Sequence, residues 1–211
     1  MIDNILVIDD VISKEKQDLL ENLLINNPDF PWYFIKDVTS ANSGLELKNY
    51  GFTHIFKSEK GKVVSSAYNL FEEIAKEACS KINFNFTSII KCRSFLQTPK
   101  DNQDYNEPHV DFLHEHMVFL YYVNDTDGET YLFNDVYNGE KSFENLDLEI
   151  IKKVMPKKGR GLFFNGNRFH ASSYPSKTIR CIVNFDLIWM RKFWSKIIIY
   201  QKKKCLIWRT F

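Results

Sequence analysis

His109 and Asp111 stand two residues apart in Pro108-His109-Val110-Asp111. In an extended segment, side chains two apart project to the same face. At about 3.3 Å of rise per residue their Cα atoms lie roughly 6.6 Å apart, so an imidazole and a carboxylate can converge on one metal ion. A third ligand must come from elsewhere. The best candidate is His170, at the end of Phe163-Phe164-Asn165-Gly166-Asn167-Arg168-Phe169-His170. Two histidines and one carboxylate that leave coordination positions open suit non-haem Fe(II). Arg180 follows inside the strand-like run Thr178 to Asp186 and could hold the carboxylate of an acidic co-substrate. In that run Ile179, Cys181, Val183 and Phe185 alternate with Arg180, Ile182, Asn184 and Asp186. The second set shares one face, and an inward arginine needs an anionic partner.

His114 and His116 are a competing pair. The only carboxylate near them is Glu115, which would point the opposite way, so they are expected at the rim or on the substrate side. Asn165 and Asn167 are expected to shape the turn before His170. Tyr121 is expected to pack outward, and His54 carries no readable signal.

These residues need a scaffold, and the pattern predicts a strand-rich one. Asn4 to Asp10 reads as a strand. Ser13 is a plausible N-cap for a helix to about residue 26, with Leu19, Leu20, Leu23 and Leu24 on one face and Pro28 and Pro31 beyond its end. A second helix is expected over 65–82, with Leu70, Phe71, Ile74, Ala75 and Ala78 as its apolar stripe. Between them, residues 32–62 are rich in turn formers, with one strand at Thr53 to Phe56. Further strands are expected at Thr87 to Leu96, Met117 to Val123, Glu129 to Phe133, Asp147 to Val154, Gly161 to Phe164 and Thr178 to Ile188. Asn124 to Gly128 reads as a hairpin turn joining Met117–Val123 to Glu129–Phe133. Two early helices followed by strands suggest helices packed on the outside of a sheet.

The 211-residue length fits one domain, with its core at about 89–188 and a basic segment at 190–211. An apolar content of 44% and a charged content of 26% belong to a soluble globular protein. A net charge of +1 predicts neither a nucleic-acid nor a membrane partner. Residues 190–211 hold seven Lys or Arg, no acid, and interleaved aromatics, with a possible edge strand at Ile197-Ile198-Ile199. The neutral overall balance favours a terminal element with its aromatics packed and its lysines in water. Cys79, Cys92, Cys181 and Cys205 form no C-x-x-C pair, which argues against structural zinc. Met1-Ile2-Asp3-Asn4 lacks the basic start of a signal peptide, so reduced cysteines and a cytoplasmic location are expected.

Tyr105 through Asp111, Leu120 to Asp125, Gly128-Glu129-Thr130, Pro156 to Gly159, and His170 with Arg180 together resemble the prolyl 4-hydroxylase-like branch of the 2-oxoglutarate- and Fe(II)-dependent oxygenases. The resemblance covers about Ile89 to Leu187, and more weakly the opening strand and helix. Asp127 stands where the family pairs a glycine with Gly128, and residues after Trp189 have no recognisable counterpart.

The resemblance implies a double-stranded β-helix: a jelly-roll, cupin-like barrel, mainly β with flanking α-helices. It implies His109, Asp111 and His170 as iron ligands, and Arg180 with Tyr122 as the anchor of the far carboxylate of 2-oxoglutarate. Fe(II), 2-oxoglutarate and O2 would be the reactants, with hydroxylation of a substrate C–H and release of succinate and CO2. Asp111 favours hydroxylation, since related halogenases lack this carboxylate. The substrate loops would be Thr98 to Asn106, His114 to His116, and Asn134 to Asn145. They carry Asp101, Asp104, Glu115, Asp135, Glu140 and Glu144 against Lys100 and Lys141. Such lips suit a polypeptide, proline first, or a small neutral or cationic molecule better than nucleic acid. Two rivals remain: a cupin-like metal enzyme that does not use 2-oxoglutarate, and a non-catalytic binding module.

Overall fold

The computed structural model describes residues 5–39, 47, 49–101, 104–139 and 148–189. The basic segment 190–211, Cys205, and the loop residues 102–103 and 140–147 lie outside them.

Among the described residues, ten strands form two sheets. The strands are β1 (Leu6–Ile8), β2 (Tyr33–Ile35), β3 (Gly51–Lys57), β4 (Phe86–Gln97), β5 (Met117–Tyr122), β6 (Thr130–Val136), β7 (Ile150–Val154), β8 (Gly161–Asn165), β9 (Arg168–Ser172) and β10 (Arg180–Trp189). The larger sheet runs β1-β8-β5-β10-β4-β3-β2, and the smaller runs β7-β6-β9. Every named strand pair is antiparallel. The described residues also form two α-helices, α1 (Lys14–Glu21) and α2 (Tyr68–Lys81). α1 begins at Ser13, whose hydroxyl accepts from the Lys16 amide, and continues as a π-helical stretch, Asn22–Asn26.

Strand alternation divides the core in two. On β5, Phe119 and Tyr121 face the helices, while Val118, Leu120 and Tyr122 face the smaller sheet. On β10, Cys181, Val183 and Phe185 join the helix side, and Ile182 points between the sheets. The outer layer receives Leu20 and Leu24 from the first helix, and Phe71, Ile74 and Ala78 from α2. The inner layer holds Phe95, Leu132, Val154, Leu162 and Phe164. This is a two-sheet barrel with helices outside one sheet, as the strand pattern predicts. Tyr121 does point out of the barrel, but it is fully buried under the helices.

The hairpin expected at Asn124 to Gly128 does not form. β5 already has β8 on one edge and β10 on the other, so β6 has no edge to pair with. The chain instead crosses to the smaller sheet. The turn residues fasten this crossing: the Asn124 side chain donates to Ile179 O and accepts from the Cys181 amide, and Asp125 accepts from the Lys158 amide. Two strands went unanticipated, the short edge strand β2 and β9, which carries His170. No helix among the described residues is long and apolar enough to cross a membrane. Cys79, Cys92 and Cys181 are buried free thiols.

Phe119 stacks on Phe163 (ring centroids 4.5 Å apart) and on Phe185 (5.0 Å), tying the adjacent strands β8, β5 and β10 together. Phe119→Ala is expected to lower stability by about 3–5 kcal/mol. Urea unfolding measures this, and a loss below about 1 kcal/mol would show that the stack is not structural.

Candidate metal centre

The chain brings His109, Asp111 and His170 together. His170 is central in β9, and His109 pairs with it through an isolated antiparallel bridge. The two residues exchange both backbone hydrogen bonds, 2.9 Å from His109 N to His170 O and 3.0 Å in return. Residues opposed in this way project their side chains to the same side of the sheet, and the rings sit with centroids 4.6 Å apart. The segment around His109 is therefore extended only locally, and not a full strand.

Each ring is oriented by its Nδ1, which lies 3.1 Å from a carbonyl: Glu107 O for His109 and Arg168 O for His170. Nδ1 must donate there, so Nε2 carries the lone pair. One Nε2 or Nδ1 from each histidine and one Asp111 oxygen all lie within 4.8 Å of one another. The Nε2 of His170 is 3.5 Å from Asp111 Oδ2. Burial, and then the neighbouring His170, push His109 down to about 4, which keeps it neutral. Burial alone would raise the Asp111 carboxyl, but His170, Arg93 and His109 outweigh it and hold the group well below the usual carboxylate range. Two imidazoles that present Nε2 to one point and an ionised carboxylate are the donor set that a divalent metal requires. The residues present therefore fit an iron ion.

A cleft with ≈ 530 Å³ of empty space, part of it open solvent, lies between the sheets over this cluster. Arg180 lines its wall together with His109, Asp111 and His170. Arg180 is 3% exposed, and its three guanidinium nitrogens donate to Gly128 O (2.8 Å), Gln97 Oε1 (3.0 Å) and Thr130 Oγ1 (2.9 Å). All three partners are neutral, so no side-chain carboxylate among the described residues balances this buried cation. Gly128 is glycine because a Cβ there would lie 2.8 Å from Arg180 Cδ. Tyr122 sits one layer further in. Its hydroxyl donates to Thr130 Oγ1 at 2.8 Å, and Thr130, not Tyr122, lines the cavity.

His116 departs from its expected place at the rim. It is fully buried, with Nδ1 2.8 Å from His114 O and its ring against Gly166, where a Cβ would overlap it. Only His114 is exposed. The tight turn after β8 explains the difference: Gly166 N donates to His116 O, drawing the histidine under the loop. His116 forms a second acidic-histidine set with Asp111 and Asp186. Asp186 is pushed well above the usual carboxylate range by burial and by Asp111, with Arg93 and Lys91 opposing. Those two cations bear on this second set, and only the first set lines the cavity together with Arg180.

Arg93 and Gln97 went unsingled in the sequence, and Thr130 stood there only within Gly128-Glu129-Thr130. The one signal for the first two is strand parity: Arg93, Phe95 and Gln97 alternate along β4 on the face that opens to the cavity. His54 is structural, bridging Pro31 O and Ser65 Oγ at 2.9 Å each.

No protein-family model matches the sequence, and no curated protein does. Solved structures do resemble the fold. A viral collagen prolyl hydroxylase from Paramecium Bursaria Chlorella virus-1, in complex with 2-oxoglutarate, aligns with TM-score 0.52 and 15% identity over 89% of this chain and 96% of that one. A prolyl hydroxylase bound to a hypoxia inducible factor peptide fragment, from Trichoplax adhaerens, aligns with TM-score 0.58 and 16% identity over 87% and 83%. The alpha ketoglutarate dependent epimerase SnoN of nogalamycin biosynthesis aligns with TM-score 0.56 and 11% identity over 89% and 79%. The fold is thus the double-stranded β-helix that these enzymes share.

The depressed His109 gives a pH dependence. In the unfolded chain it takes up a proton near the ordinary 6.5, and in the folded metal-free chain only near 4. Its contribution to stability is therefore full above about pH 6.5 and is lost as the pH falls toward 4. Urea melts of the metal-free protein at pH 7 and pH 5 should show this loss, and His109→Ala should show less of it. An equal loss in the variant would show that His109 does not carry the effect.

Proposed function

We propose that this chain is an Fe(II)- and 2-oxoglutarate-dependent dioxygenase that hydroxylates a substrate C–H bond. The observation that carries it is one cavity faced both by His109, Asp111 and His170 and by the buried, anion-free Arg180. The whole chain is read as a single domain of this kind, working in the cytoplasm, where its buried thiols stay reduced.

His109, Asp111 and His170 would hold the iron from one side, leaving the cavity side for the co-substrates. Bound there, Fe(II) and 2-oxoglutarate would supply O2 activation, with succinate and CO2 as co-products. Arg180 would take the far carboxylate. Its position is fixed by Gly128 O, Gln97 and Thr130, so the guanidinium is ordered before the anion arrives. Thr130 Oγ1 accepts from both Tyr122 and Arg180, which leaves its own proton to donate into the cavity. Phe95, Leu120, Phe164 and Ile182 make the walls between these polar groups apolar and restrict water. A cupin-like enzyme without 2-oxoglutarate would have no use for a buried cation at this depth.

For the substrate, a prolyl residue in a polypeptide is the first candidate, and a small neutral or cationic molecule the second. Asp101, Asp104 and Glu115, which belong to two of the expected substrate loops, are exposed. Two of the similar structures are named as prolyl hydroxylases, one with a bound peptide.

Arg180→Ala should raise the KM for 2-oxoglutarate by an amount equivalent to about 2–5 kcal/mol while leaving metal affinity near wild type. An unchanged KM would remove Arg180 from the site. Incubating the Fe(II) protein with 2-oxoglutarate and proline-containing peptides, free amino acids or oligonucleotides should give succinate and a one-oxygen mass gain on the peptides. No succinate with any of them would sink the oxygenase reading, and a gain on oligonucleotides alone would sink the peptide assignment.

A further inference from the structure

Asp111 differs from the two histidines in how it is held. His170 lies in a strand, and His109 is clamped to it by two backbone hydrogen bonds. Asp111 lies in a bend, and among the described residues no backbone–backbone hydrogen bond fixes it. Its carboxylate is fixed from the facing sheet instead. Arg93 Nη2 donates to Oδ1 at 2.8 Å, and Asn184 Nδ2 donates to Oδ2 at 3.2 Å. Arg93 and Asn184 are register partners on β4 and β10, so the clamp is built into the sheet. The guanidinium is itself held, its Cζ 4.5 Å from the Phe95 ring centroid.

The two oxygens are not equivalent. Oδ2 faces His170 Nε2 at 3.5 Å, a separation that two ligands of one metal ion can share. Oδ1 is turned to a cation and accepts a charge-assisted bond, the strongest kind a carboxylate can make here. Chelation through both oxygens would set the metal against the Arg93 guanidinium. We infer that Arg93 is a positioning residue that restricts Asp111 to binding the metal through Oδ2 alone, and so keeps one more coordination position free for co-substrates. This rests on the metal assignment proposed above.

Co(II) is the probe, because its visible d–d bands report coordination number without turnover. Full-length wild type, Arg93→Ala, Arg93→Lys and Asp111→Ala are titrated with Co(II) alone, and each metal-free protein is melted to confirm folding. The expected result is that Arg93→Ala binds Co(II) ~10–100-fold more weakly, as is usual when a partner of a metal ligand is removed, and with d–d bands of altered intensity. Arg93→Lys, a point charge without the planar fork, should recover part of the affinity but not the wild-type bands. Wild-type bands in folded Arg93→Ala, whatever its affinity, would overturn the assignment. If wild type takes up no Co(II), the metal reading fails and the role of Arg93 with it. Uptake by wild type that is lost in Asp111→Ala but unchanged in Arg93→Ala would fail the role of Arg93 alone.

Discussion

The site depends on the pair of backbone hydrogen bonds between His109 and His170. They add the segment before Asp111 to the free edge of β9, where Tyr105 also bridges Ser173. Two imidazoles from distant parts of the chain thereby project from one sheet at adjacent positions. Backbone geometry, not side-chain packing, sets their separation, and a one-residue slip would turn one ring to the other face. Phe164 from the opposite sheet then meets the His170 ring edge-on at 5.0 Å, so the barrel must close for the ring to be enclosed.

The opposite wall follows from the same alternation. β10 is the centre of the larger sheet, and it carries Arg180, Ile182, Asn184 and Asp186 on the inner face. Arg180, Ile182 and Asn184 put a cation, an apolar spacer and an amide at successive levels along the cavity, and Asp186 lies beyond its lining. Cys181, Val183, Phe185 and Leu187 are spent on the helix-side core. Ten consecutive residues thus serve both the helix-side core and the cavity wall, to which they give Arg180 and Asn184.

Much of this was legible in the sequence, because period-two alternation survives in strands that bury both faces in different layers. The inward direction of Arg180 and the pairing of His109 with Asp111 could be read from spacing alone. What could not be read came from contacts made across the fold. Asn124 to Gly128 has hairpin chemistry, but whether it makes a hairpin depends on the edges of β5 already being taken. His116 looks like a rim residue beside His114 until Gly166, fifty residues later, opens the space for its ring. Arg93 reads as an ordinary strand arginine, since nothing near it in the chain announces that Asp111 lies opposite.

Charge placement separates the two ends of the cavity. Arg180 is surrounded by neutral acceptors, each already receiving one of its N–H groups, and burial pushes even its pKa down. A cation kept at that cost without an acid nearby is stabilised chiefly by whatever anion it binds. At the other end the charges are compensated internally: Arg93 donates to Asp111, and Lys91 and Arg93 bear on Asp186. Under the assignment proposed above, a dianion would meet Arg180 at one wall, while Asp111, held by Arg93 and Asn184, keeps its charge for a metal at the other.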